Sequence, residues 1–213
     1  MNNFLEKFTL YDWFGYMMPG TLCVVMFGWC FYDNRILDIL SNDIFKEYKL
    51  YIVLGILVVG YIVGIVLTQI GDFVYNTCIV RLCGNITKKI GYDKIGYGKI
   101  KEALVKSKVI ESNTTIATDK DVDNYMGYIY GDIQTDAKYT RIHNYASMEL
   151  ICKNLSISIL AGWGMWLLGR EQNFRMTLVA LATVAVLFCR WKFFYQRKHF
   201  YAAAWFTQSQ LSK

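Results

Sequence analysis

Charged residues are absent from several long stretches of the chain, and the longest stretch indicates the class of protein. Leu50–Gly71 holds 22 residues without a charge, between Lys49 and Asp72. As a helix this run is about 33 Å long, enough to cross a hydrocarbon core of about 30 Å. A soluble domain of a 213-residue chain has too small a core to bury such a helix on all sides. The pattern predicts a membrane protein.

Three further runs support the same interpretation. Trp13–Tyr32 is uncharged over 20 residues, Asn154–Gly169 over 16 and Met176–Cys189 over 14. The last two are short for a span, but only the segment 170–175 separates them, as in a helical hairpin whose arginines reach the headgroups. No strand pattern is visible. We predict an all-α polytopic membrane protein with four transmembrane helices and an α-helical cytoplasmic insertion.

Lysine and arginine near the ends of the spans predict how the chain faces, because these residues resist transfer across the bilayer. The segment 72–153 carries 12 of them, and the segment from Arg190 onward carries five with no acid. The loops 33–49 and 170–175 carry three and two. We therefore expect the central segment and both termini in the cytoplasm and the two loops outside.

The sequence divides into four predicted regions. These are membrane helices one and two at 1–71, the cytoplasmic helical insertion at 72–153, membrane helices three and four at 154–189, and a basic aromatic cytoplasmic tail at 190–213. Within the insertion, Lys99–Ile110 has the pattern of a short amphipathic helix. Thr118 is suited to cap a helix that begins at Asp119. A further helix is predicted to start near Thr135 and to continue unbroken to Gly169.

Candidate chemistry in the sequence is sparse. Asp119, Asp121 and Asp123 have the spacing of the first ligands of a calcium loop. However, Asn124 stands where that loop needs glycine, and Tyr130 stands where it needs a bidentate glutamate. The six cysteines form no C-x-x-C pair, and no nucleophile–base set or phosphate loop is visible. We expect no enzyme, no metal site and no cofactor.

The net charge of +6 lies next to the predicted spans. Retention on the cytoplasmic side and attraction to anionic lipid explain it, so the expected partner is the lipid bilayer rather than nucleic acid. No charge lies deep within a predicted span, and no internal repeat is visible. Both observations disfavour a secondary transporter.

Glycines in the second run predict a close helix contact. Gly60 and Gly64 form a G-x-x-x-G element, and Gly71 continues the same face one heptad later. Small residues at this spacing let another helix approach closely. The partner helix can belong to the same chain or to a second copy, so these three glycines are candidate helix-packing or oligomer-interface residues.

The Pro19-Gly20 pair contains the only proline in the chain. Within a helix, Pro19 cannot donate a backbone hydrogen bond to the carbonyl of Gly15. We therefore predict a kink or break in the first membrane helix at Pro19 and Gly20.

The tail contains the string RWKFFYQRKHFYAAAWF, which mixes basic and aromatic residues. This composition suits a helix that lies along the inner membrane surface. A platform for single-stranded nucleic acid would need more positive charge. The predicted membrane-surface residues are Arg190, Lys192, Arg197 and Lys198.

The string YDWFGYMMPG at residues 11–20 resembles the opening of small multi-pass membrane proteins of bacterial antiviral islands. These include the four-span accessory protein of RNA-targeting type VI-B CRISPR systems and the membrane subunit of Kiwa defence systems. The resemblance covers these residues and the overall layout, and it carries over no catalytic residue. It implies a homo-oligomer at the bacterial inner membrane that acts during phage infection.

Three functions are compatible with these observations. We favour a non-enzymatic protein of antiviral defence that oligomerises and perturbs or gates the inner membrane. The alternative is a membrane sensor or scaffold that recruits a cytoplasmic effector through residues 72–153. A small transporter ranks third, for the reasons given above.

Overall fold

The computed structural model describes residues 12–32, 43–74, 77, 90–133, 140–169 and 174–212. Of these residues 89% are helical and none lies in a strand, which confirms the all-α prediction. The elements in chain order are a π-helical segment Asp12–Met17, α1 Met18–Tyr32, α2 Asp43–Val74, a 3₁₀ turn Tyr92–Lys94, α3 Tyr97–Lys106, α4 Asp119–Asp123, α5 Met126–Ile133, α6 Thr140–Gly169 and α7 Phe174–Ser212.

Three of the described helices are long and apolar enough to cross a membrane. These candidate spans are Glu47–Val74, Arg141–Leu167 and Phe174–Ser212. The helix α1 has only 15 residues, about 22 Å at the rise of an α-helix, and the π-helical segment precedes it. The four-span count therefore stays a prediction. The candidate span Arg141–Leu167 begins before Asn154, the predicted start of membrane helix three, so it includes Lys153.

The chain divides into two compact units. The first contains 1–77 and 147–191, and the second contains 78–146 and 192–213. The predicted regions 72–153 and 190–213 thus supply most of one unit, a grouping that the linear division of the sequence did not show. The helices α6 and α7 each contribute residues to both units.

In the first unit, glycines bring the backbones of α1 and α2 together. A Cβ atom at Gly20 would overlap the carbonyl oxygen of Gly60, and one at Gly64 would overlap the carbonyl oxygen of Tyr16. A Cβ atom at Gly60 would likewise overlap the side chain of Thr21. The G-x-x-x-G face is therefore filled by α1 and by the π-helical segment that precedes it in the same chain, which is one of the two arrangements that the sequence left open.

The second unit has its own hydrophobic core. It is built from the short helices α3 to α5 and from the last part of α7, and Tyr92 lies fully buried within it. The Tyr92 hydroxyl donates a hydrogen bond to Asp123 Oδ1 at 3.0 Å, so its polar atom is satisfied. Other side chains of this core with no exposed surface are Ile100, Ala103, Leu104, Val122, Ile129, Ala202, Ala203 and Phe206.

Local signals in the second unit match the predicted ones. Thr118 caps α4: its Oγ1 accepts a hydrogen bond from the Asp121 backbone at 3.3 Å, and the Asp121 carboxylate accepts one from the Thr118 backbone at 2.9 Å. Hydrogen bonds to the Asp121 carboxylate from the Ala117 backbone, and from the hydroxyl and backbone of Thr118, lower the pKa of Asp121. Gly91 and Gly96 adopt φ of 84° and 93°, which ends helical structure on either side of the 3₁₀ turn. The predicted cap at Thr135 lies outside the described residues.

Part of the tail packs on protein. Ala202, Ala203 and Phe206 are fully buried in the core of the second unit, whereas Phe193 is 42% exposed. The placement of the tail along the membrane surface stays a prediction. Composition alone could not separate a helix that packs on lipid from one that packs on protein, since both need an apolar face beside basic residues.

The glycine contact predicts a position-specific effect. Gly64→Ala should destabilise the first unit by about 1–3 kcal/mol, because the added methyl group overlaps the Tyr16 backbone and overpacks the contact. Gly55→Ala, in the same helix, meets no atom within 4 Å and should be neutral. Reversible unfolding in mixed micelles measures both. Equal stability of the two variants would contradict the α1–α2 packing described here.

Candidate functional site

The candidate site is built around the proline of the first unit. Pro19 has no backbone N–H, so it cannot hydrogen-bond the carbonyl oxygen of Gly15 one turn earlier. That oxygen accepts a hydrogen bond from Asn154 Nδ2 at 2.8 Å instead. Asn154 belongs to α6 and has no exposed surface. A side chain from another helix therefore satisfies the backbone group that proline leaves open.

The second donor of the same amide links α6 to α2. Asn154 Nδ2 donates to Thr68 Oγ1 at 2.8 Å, and Thr68 Oγ1 donates to the carbonyl oxygen of Gly64 at 3.0 Å. Gly64 is the glycine that lies against Tyr16. One amide group thus joins the Gly15 carbonyl to the close contact on α2, and the kink or break at Pro19 and Gly20 stays a prediction.

A second contact lies one turn further along α6. Ser158 Oγ lies 3.0 Å from the carbonyl oxygen of Pro19 and 2.9 Å from that of Asn154. A hydroxyl has one proton, so it donates to one of these oxygens at a time. Ser158 can therefore bond to α1 or to its own helix without moving its backbone.

An ion pair lies at the end of this polar row. Lys153 Nζ is 2.7 Å from Asp72 Oδ1. Asp72 directly follows the uncharged run of α2, and Lys153 directly precedes the uncharged run of α6. The ion pair therefore holds the end of the first run beside the start of the second. A Cβ atom at Gly71 would lie 3.2 Å from Lys153 Cγ. The glycine therefore leaves room for the lysine stem, a role that the sequence did not indicate.

The inner face of α6 repeats every four residues. Leu150 packs on Gly15, and Gly162 lies against the side chain of Met26. Asn154 and Ser158 lie between these two contacts on the same face. The polar row Lys153, Asn154 and Ser158 is hereafter called the α6 seam.

The chain matches no family model and shows no significant similarity to curated proteins or to solved structures. The assignment of a function thus depends on the geometry of the seam and on the resemblance noted above.

Two buried atoms of the seam region have no hydrogen-bond partner among the described residues. They are Asn154 Oδ1 and Thr21 Oγ1. An unsatisfied buried acceptor costs about 1–3 kcal/mol, and the rest of the fold has to offset that. The seam is therefore held by directional hydrogen bonds. In a rearranged state, Asn154 Oδ1 and Thr21 Oγ1 can still accept hydrogen bonds.

The predicted site residues fall into two groups. Pro19, Gly20, Gly60, Gly64 and Gly71 all lie at or beside the seam. Of the predicted membrane-surface cations, Arg190 belongs to the first unit, and Lys192, Arg197 and Lys198 belong to the second.

The surroundings of the tail cations differ from those predicted. The side chain of Lys198 lies over the rings of Tyr130 and Tyr195 at 5.7 and 5.5 Å from their centres. The Arg197 guanidinium lies over Phe193 at 5.2 Å. These contacts are with protein side chains, and binding of lipid by the four cations stays a prediction.

The coupling between Pro19 and Asn154 can be measured. Asn154→Ala should lower the free energy of unfolding by about 1–2 kcal/mol, because it leaves the Gly15 carbonyl without a donor. In a Pro19→Ala background the restored backbone N–H can serve that carbonyl. The cost of Asn154→Ala should then fall, with a coupling energy of about 0.5–1 kcal/mol, measured by unfolding of the four proteins of the cycle.

Ser156→Ala is the matched control for this cycle. The Ser156 hydroxyl is also buried in α6, but it bonds within its own helix, to Cys152, at 2.7 Å. Its effect should not change in the Pro19→Ala background. Strict additivity of Asn154→Ala with Pro19→Ala would show that the amide does not stand in for the missing backbone donor.

Proposed function

We propose that this protein is a non-enzymatic component of antiviral defence that oligomerises and gates or perturbs the bacterial inner membrane. One observation carries the gating part: the carbonyl oxygens of Gly15 and Pro19 accept hydrogen bonds from Asn154 and Ser158, which belong to another helix. The candidate spans support placement in a membrane. The resemblance of residues 11–20 supports the defence context.

The energetics of the seam suit a switch. Interhelical hydrogen bonds in membrane proteins contribute about 0.6 kcal/mol on average and up to about 1.7. Two such contacts to α1, through Asn154 and Ser158, give a seated and a released arrangement that differ by a few kcal/mol. A trigger that binds the released arrangement more tightly would shift the population toward it.

An oligomer has to form through a surface other than the G-x-x-x-G face. Gly60 and Gly64 are occupied by α1 within the chain. Exposed apolar side chains on the outer faces of α2 and α7 remain for contact with lipid or with a second copy, Ile62 and Val186 being examples. Homo-oligomerisation is part of the proposal.

The topology of the proposal is four spans with both termini in the cytoplasm. Reporter fusions near residue 110 and at the C-terminus should be active only as cytoplasmic reporters, because lysine and arginine concentrate in these segments. Fusions near residue 40 should be active only as periplasmic reporters. The reverse pattern at either place would overturn the four-span arrangement.

A second candidate function is a membrane sensor or scaffold that recruits a cytoplasmic effector. The observation that favours it is the separately packed core of the second unit. A segment that only joined two spans would not need a core of this kind. A small transporter ranks third, since the charge beside the spans, Lys153, is paired with Asp72.

Membrane potential in phage-challenged cells separates the first two functions. The wild type should depolarise. Asn154→Ala should depolarise more readily than the wild type, because it removes a contact of the seated arrangement. Pro19→Ala should reduce depolarisation and protection together, because its restored backbone N–H can satisfy the Gly15 carbonyl without water. Ser156→Ala, with equal expression, should behave as wild type. Protection without depolarisation would exclude the gate and favour the sensor.

A further inference from the structure

The second unit contains an open cleft of about 800 Å³. It is lined by the segment around the 3₁₀ turn, by the residues before α4 and by one face of α7. Its volume falls within the range of small-molecule pockets, about 300–1,000 Å³. The side chains that the following argument uses are Asp93, Lys94, Tyr97, Asp119, Phe193 and Arg197.

Arg197 is held in place by aromatic rings rather than by an acid. Its guanidinium carbon lies 5.2 Å from the centre of Phe193 and 5.8 Å from that of Tyr201, and Nη1 donates to the Tyr201 hydroxyl at 3.1 Å. No carboxylate of the described residues pairs with it. A guanidinium oriented in this way has donors left for a phosphate or carboxylate.

The acids of the cleft are not equivalent. Asp119 Oδ2 accepts hydrogen bonds from the backbones of Ile90 and Gly91 at 2.9 and 3.2 Å, and Oδ1 accepts one from the Tyr97 hydroxyl at 2.7 Å. This hydrogen bond raises the pKa of Tyr97 to about 12, so its phenol stays neutral at physiological pH. The charge of Asp119 is thus compensated by three donors.

Asp93 and Lys94 remain available to a ligand. Neither side chain has a hydrogen bond or an ion pair within the part of the chain that the structure describes. Both are exposed. The cleft therefore offers two cations, Lys94 and Arg197, one carboxylate that can accept hydrogen bonds, and the rings of Phe193 and Phe200.

We propose that this cleft binds a nucleotide. Arg197 and Lys94 take its phosphates, an aromatic ring of the cleft stacks on its base, and Asp93 accepts hydrogen bonds from its ribose hydroxyls. These three kinds of group correspond to the three parts of a nucleotide. Inorganic phosphate would use the cations alone, and an apolar ligand would leave the cations and Asp93 without partners.

Calorimetry on the full chain in nanodiscs of neutral phosphatidylcholine tests the proposal with ATP, AMP, adenosine and inorganic phosphate as probes. ATP and AMP should bind more tightly than adenosine or phosphate. Arg197→Gln should weaken ATP binding about tenfold or more, since it removes a charge-assisted contact. Phe193→Leu should weaken AMP binding about fivefold or more through lost stacking.

Two further variants keep the result interpretable. Arg190→Gln removes a cation of α7 that does not line the cleft, and it should leave ATP affinity unchanged. Lys94→Gln alters an exposed side chain and should weaken ATP without affecting the fold, so it tests the site even if Arg197→Gln unfolds. Absence of ATP and AMP binding at millimolar concentration would overturn the proposal, as would equal affinity for wild type and Lys94→Gln.

Lipid phosphate is the competing source of the same chemistry. Nanodiscs that contain anionic phosphatidylglycerol distinguish it from a free nucleotide. ATP binding that persists in these discs supports the nucleotide. Binding of phosphatidylglycerol that depends on Lys94 and Arg197, with no ATP binding in neutral discs, would assign the cleft to lipid headgroups and overturn the proposal.

Discussion

The carbonyl oxygen of Gly15 is the group on which the packing of the first unit depends. A backbone acceptor that is buried away from water and left unpaired costs about 1–3 kcal/mol. Pro19 creates such an acceptor, and the amide of Asn154 satisfies it at 2.8 Å. That hydrogen bond requires α6 to lie close to the π-helical segment that precedes α1. Glycines at 20, 60 and 64 then let α2 approach α1 closely, and Thr68 shares the same amide.

The sequence predicted the part of this arrangement that lies within one helix. Pro19 indicates the missing hydrogen bond and names Gly15 as the acceptor, because both follow from the covalent structure of proline. The donor could not be predicted, since it comes from a residue 139 positions away. In the sequence, Asn154 was noted only as the first residue of an uncharged run. The glycine face could also be predicted, because it follows from the spacing of residues within one helix. Its partner could not, because that partner is distant in the sequence.

The second unit shows a similar limit. Thr118 was identified as a cap because its partners lie within a few residues. The contact between segment 90–133 and the end of α7 joins parts of the chain separated by two candidate spans. Local patterns report the spacing of apolar residues but not the surface they meet, so the tail was predicted to lie on lipid. Its residues Ala202, Ala203 and Phe206 are covered by protein instead, which no local pattern indicated.

The two kinds of contact in the seam differ in how they can be replaced. Lys153 and Asp72 lie at the run ends, where the Asp72 side chain is 53% exposed and that of Lys153 is 10% exposed, so water and salt can substitute for Lys153 as the partner of the carboxylate. The Gly15 carbonyl is bonded instead to Asn154, a side chain with no exposed surface, so its donor cannot be exchanged at the protein surface. If Asn154 leaves it, another donor has to arrive, and water is the donor that needs no change in the chain. In the gate that we propose, release of the seam and entry of water into the helix contact are therefore one event, which is how a helix break can perturb a bilayer.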